Sequence, residues 1–114
     1  MAVLAWWLNQ DRAEYCRVCS GMHRQRPPCG RCEWRAPKLK AGNEEIWELW
    51  LALQTQWRAG AAGLIGLDYP AVPVAARALG VEWRAPRVWR GLQQLEAEAL
   101  DHWAKAAQDG RKHQ

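Results

Sequence analysis

The residues able to do chemistry lie together near the front of the chain. Cys16-x2-Cys19 is followed nine residues later by Cys29-x2-Cys32, and these are all 4 cysteines among 114 residues. Two CxxC pairs at short separation signal zinc. Each pair presents two sulfurs to one ion, and two pairs complete a tetrahedron. One structural Zn²⁺ is therefore expected on Cys16, Cys19, Cys29 and Cys32, each pair on a tight turn. Gly21 follows the first pair and Gly30 lies inside the second, where turns favour a residue without Cβ. Pro27 and Pro28 stiffen the connector. A closed four-thiolate site has no open position for water, so it should be structural and not catalytic. His23 could replace one thiolate. A pair of disulfides is the competing arrangement and needs an oxidising compartment. A redox CxxC fits less well, since no βαβ pattern surrounds it.

Four thiolates on one divalent ion carry a net negative charge. Arg17, Arg24, Arg26, Arg31 and Arg35 surround them. Neutralising the site and hydrogen-bonding its sulfurs is the plainer role for these arginines. Touching nucleic acid is the sharper one. Residues 1–42 carry eight Lys/Arg against three acids, and residues 43–114 carry eight against nine, so the basic excess belongs to the front third.

Elsewhere no catalytic constellation forms, and the chain is not expected to be an enzyme. The histidines are His23, His102 and His113, and Ser20 is the only serine. His102 should face solvent on the last helix. Asp68 suits an N-cap or a bond to nearby backbone. Glu96 and Glu98 carry no signal of an acid–base pair. The glycines from Gly60 to Gly66 follow a helix in an apolar context and do not make a phosphate cradle.

The positioning elements read as helices. Ile46, Trp50, Leu53 and Trp57 fall on one face of a helix over residues 43–58, with Trp47 and Leu51 widening the stripe. Asn43 is its expected N-cap, and Glu44 and Glu45 suit the positive end of its dipole. Trp57 should close this stripe as a core residue. Residues 64–69, LIGLDY, then read as a helix–loop–helix corner. A short helix fits residues 73–79, stopped by Gly80. Residues 81–86 read as an extended connector. A long helix is predicted over residues 87–107, ended by Asp109-Gly110, with Gly91 as a weak point. Residues 1–15 could form a short helix or an irregular arm. Pro37 and Gly42 mark a linker, and residues 111–114 a polar tail. No strand is expected outside the cysteine knuckles. The fold class is mainly α: a helical domain of three to four helices over residues 43–114, preceded by an arm and four-cysteine zinc module over residues 1–42.

The composition is that of a globular chain, 49% hydrophobic and 25% charged. Its aromatic usage is skewed: 9 Trp and no Phe. Trp is large, rigid and enriched at interfaces. Trp6 and Trp7 are adjacent, so both cannot enter one core. Trp6, Trp7, Trp47 and Trp89 are the candidate partner-binding residues. No apolar run is long enough to span a membrane. MAVLAWWL is short for a signal-peptide core and lacks a basic leader, so a cytosolic protein with reduced thiols is expected.

Over residues 43–103 the sequence resembles a small phage-encoded family known as phage-related proteins of unknown function. The resemblance rests on a Trp-bearing helix ending in TQWR (residues 55–58), a glycine loop, GLDY (residues 66–69) and a last helix with LEAEAL (residues 95–100). Genes of this type lie in tail-gene clusters. The resemblance implies a tail assembly chaperone in the host bacterial cytoplasm, with tape-measure or tail-tube protein as partner. The alternative from the residues themselves is a small zinc-containing nucleic-acid-binding or regulatory protein.

Overall fold

The computed structural model describes residues 1–112, and side chains through residue 110. The chain forms two compact units, Met1–Leu39 and Lys40–Gln114, dividing just ahead of the linker glycine Gly42.

The first unit holds α1 (Ala2–Leu8), α2 (Gln10–Met22) and a 3-10 turn (Cys29–Arg31). Residues 1–15, read as a short helix or an irregular arm, instead belong to two helices, broken at Asn9. Asn9 is extended, with φ −69° and ψ 115°, and its side chain accepts from the Arg12 N–H at 3.1 Å. That is N-cap chemistry, and it starts α2. Arg12 closes the other side of the break. Its Nε and Nη2 donate to the carbonyls of Trp6 and Trp7 at 3.1 and 2.7 Å, which satisfies the last turn of α1. Only Val3 and Leu4 are buried among the described residues of this unit, and α2 buries none.

In the second unit α3 (Glu44–Ala52), a hairpin of β1 (Trp57–Gly60) and β2 (Gly63–Leu67), α4 (Ala71–Leu79) and α5 (Pro86–Lys112) follow in order. The mainly helical part of the predicted class holds: the described residues form five α-helices and one small two-stranded sheet. α3 packs on both α4 and α5, and β2 rests on α5. The core between them is Ile46, Leu49, Trp50, Leu53, Leu67, Val72, Val88, Leu92 and Leu95, each at most 3% exposed.

Three expectations are corrected here. First, the helix predicted through Arg58 ends at Ala52, and Trp57 starts a strand. Second, LIGLDY is not a helix–loop–helix corner: Gly63 through Leu67 is β2, antiparallel to β1. Gly60, Gly63 and Gly66 cut the helical run, and Gly63 at φ 123° makes the reversal that a side chain would resist. The strand–turn spacing outweighs the 3.6-residue stripe once glycine recurs this densely. Trp57 pairs with Leu67 and Arg58 with Gly66, after which the register shifts, so Ala59 pairs with Leu64. Ile65 is left as an extra residue on β2, a bulge that turns its side chain outward. Third, α5 does not stop at Asp109-Gly110 but runs to Lys112.

Smaller features match or refine the sequence reading. Asn43 sits at the N-cap of α3 but is αR, and its side chain makes no cap bond. Gly80 ends α4 at φ 71°, with Val81 N–H returning to the Ala76 carbonyl at 2.9 Å. Residues 83–85 turn instead of extending. Gly91 lets α5 approach α3: a Cβ there would lie 2.8 Å from Ile46 Cδ1. No helix among the described residues is long and apolar enough to cross a membrane.

Candidate metal centre and the hairpin lock

All four cysteines line one cavity of about 170 Å³ in the first unit, walled by Trp6, Tyr15 and Trp34. They reach it from two unlike supports. Cys16 and Cys19 are three apart on α2, so they share one helix face. The expected first knuckle is therefore helical, and Gly21 lies in the helix, not in a turn. Cys29 opens the 3-10 turn after Pro27 and Pro28, and Cys32 closes it, its N–H donating to the Cys29 carbonyl at 3.3 Å. The Trp34 N–H donates to Cys32 Sγ at 3.3 Å. Trp6 Nε1 donates to the Trp34 carbonyl at 2.5 Å, which ties α1 to the segment after Cys32.

All four are free thiols; Cys29 is exposed and the other three half-buried. Desolvation, then repulsion from Cys32, Cys29 and Cys16, raises the Cys19 thiol above its usual range. Cys32 is the chief cause that raises the Tyr15 phenol. Both shifts mean that the sulfurs share one electrostatic environment. The donor set fits a thiophilic ion in kind and number. Among the described residues, no group of three or more His, Cys, Asp or Glu side chains converges tightly enough to hold a metal ion. Of the surrounding arginines, Arg17 is bound by Glu14 at 2.6 Å. Arg24, Arg26, Arg31 and Arg35 are exposed. His23 is exposed at the C-cap of α2 and does not line the cavity.

In the second unit the pieces TQWR, GLDY and LEAEAL meet. Glu96 on α5 accepts from the Leu67 N–H at 2.7 Å with Oε2 and from the Tyr69 hydroxyl at 2.8 Å with Oε1. One carboxylate thus fastens the end of β2 to the long helix. Gly66 is part of the same lock: a Cβ there would lie 3.3 Å from both Arg58 Nη2 and Glu96 Oε2. Burial, then the bond to Glu96, pushes the Tyr69 phenol well above its ordinary value. Trp57 stands edge-on to Trp50 at 5.7 Å and to Trp103 at 5.4 Å. It is half-buried, so it borders the core without being enclosed by it. Asp68 donates its N–H to the Gln56 carbonyl, and its own carbonyl accepts from Ala71. Sequence reasoning passed over Glu96. Its only signal was a carboxylate beside the apolar stripe of α5, at the edge where a neighbour must pack.

The candidate partner-binding tryptophans differ in placement. Trp47 is 8% exposed and belongs to the core, because Ile46 and Trp47 both face α3's neighbours; it has little surface to offer. Trp6 is half-buried, with the Arg12 guanidinium 4.3 Å from its ring. Trp7 is half-buried beside it. Trp89 is half-buried against Tyr69 and Trp83. The exposed large apolar residues are others: Leu51, Leu64, Ile65, Val74 and Leu79 in the second unit, with Ile65 at 60% and Val74 at 71%, and Tyr15, Val18 and Met22 in the first, with Met22 at 75%. His102 is exposed on α5, and His113 lies outside the described residues.

Residues 38–103 match the family described as Phage related hypothetical protein (DUF1799). No curated protein and no solved structure matches the chain.

Proposed function

The chain belongs to the family of phage related hypothetical proteins, and from that premise we propose that it is a tail assembly chaperone-like protein. In this reading it acts in the host bacterial cytoplasm, performs no catalysis, and binds tape-measure or tail-tube protein during morphogenesis. The observation that carries it is the hairpin. Leu64 and Ile65 point outward from a two-stranded sheet, with Ile65 on a bulge and 60% exposed. Exposed aliphatic side chains on a two-stranded hairpin suit capture of another chain by apolar contact. Glu96 holds the hairpin to α5, so the surface is presented on a fixed support.

Co-expression with the tape-measure and tail-tube proteins of the same phage, followed by affinity capture, tests this. Capture of either partner is expected, and Ile65→Asp should weaken it at least about tenfold while leaving melting nearly unchanged. Failure to capture either protein would count against the role. The nucleic-acid reading is supported by exposed Arg24, Arg26, Arg31 and Arg35 in the first unit. It requires DNA or RNA binding that falls steeply with salt.

A further inference from the structure

We propose that Cys16, Cys19, Cys29 and Cys32 form a single Zn²⁺ site whose ion fastens the 3-10 turn to α2, in place of a hydrophobic core in the first unit. This inference is independent of the tail-assembly reading. The first observation is placement: four thiols line one cavity. One pair comes from adjacent turns of a helix and the other from the two ends of a 3-10 turn. The second is the backbone N–H of Trp34, already donated to Cys32 Sγ. A thiolate on a metal is stabilised by such an outer hydrogen bond, and its orientation is fixed by it.

The third observation supplies the need. A unit of Met1–Leu39 is below the size at which apolar burial alone holds a fold. Here α2 buries no residue, and Tyr15, Val18 and Met22 are all exposed on it. Residues 23–28 have no helix or strand, yet they must deliver Cys29 to the cavity. Small units of this kind are stapled by disulfides or metal. Zinc suits the donors, since four thiolates at about 2.3 Å give its preferred closed tetrahedron. The thiols do not yet converge to that distance among the described residues, so loading the site requires the sulfurs to close on the ion. The exposed Arg31 and Arg35 flank Cys32 in sequence and can offset the negative charge of the loaded site.

The test uses the full chain, purified reduced and without added metal. Elemental analysis should give about one zinc per chain. After removal by chelator at low pH, Co²⁺ titration should produce thiolate-to-metal charge-transfer bands and the visible bands of tetrahedral cobalt, saturating at one equivalent. Zn²⁺ should then bleach them. Chelation should abolish near-ultraviolet signals from Trp6 and Trp34 while most far-ultraviolet helix signal from α3, α4 and α5 survives. Cys29→Ser, at the most exposed ligand, should weaken Co²⁺ binding at least about tenfold. Absence of charge-transfer bands in the reduced wild-type chain would overturn the proposal. So would two disulfides, found by thiol counting, in protein isolated under thiol-trapping conditions. The wild-type cobalt spectrum decides the matter even where the serine variant fails to fold.

Discussion

Replacing Glu96 by alanine is the most informative single change in the second unit. Glu96 receives two hydrogen bonds, from the buried Leu67 N–H at 2.7 Å and from the Tyr69 hydroxyl at 2.8 Å. A hydrogen bond to a charged group contributes about 1.5–3 kcal/mol, and a buried donor left unpaired costs about 1–3 kcal/mol. These terms overlap, because both bonds belong to one carboxylate, so Glu96→Ala should cost about 3–5 kcal/mol. Leu67 is 0% exposed, so its N–H has little access to water as a substitute. Glu96→Gln should cost only about 1–2 kcal/mol. Its amide oxygen can still accept from Leu67, and its NH₂ can donate to the Tyr69 oxygen. Urea unfolding followed by far-ultraviolet circular dichroism reads both values. A Glu96→Ala variant within about 0.5 kcal/mol of wild type, or no milder effect from glutamine, would refute the lock.

Three further outcomes follow from the same geometry. Tyr69 has its phenol raised above the free value by burial first and then by Glu96. A raised value favours the neutral form in the folded state. Its contribution is therefore complete below about pH 10 and is lost as pH climbs past it; Tyr69→Phe should flatten the alkaline fall in stability, measured by urea midpoints against pH. Trp57→Ala removes both edge contacts, to Trp50 and Trp103, and should cost about 3 kcal/mol, the low end for a large aromatic because the ring is half-exposed. Gly66→Ala places a methyl 3.3 Å from Arg58 Nη2 and Glu96 Oε2; it should cost about 1–2 kcal/mol, and less in a Glu96→Ala background, as a double-mutant cycle would read.

Much of this protein was settled by local sequence. The stripe on α5, with Val88, Leu92, Leu95 and Ala99 all buried, is a 3.6-residue period that needs no partner to be read. Gly80 stopped α4 because its φ of 71° is one that other residues resist. The family resemblance likewise rested on TQWR, GLDY and LEAEAL. What local pattern could not decide was the fate of Trp57. Its spacing from Ile46, Trp50 and Leu53 suits a helix, yet it begins β1, because a hairpin earns its stability from contacts distant in sequence. Leu67 is buried only once β2 lies on α5, and its N–H is satisfied only by Glu96, 29 positions further along. The cysteine pairs show the same division. Their spacing marks them as one ligand set, whereas the placement of one pair on a helix and the other on a 3-10 turn depends on Asn9 starting α2 and on Trp6 holding Trp34. Secondary structure follows residue by residue where a period or a cap suffices; tertiary packing decides wherever one residue's burial depends on a partner far along the chain.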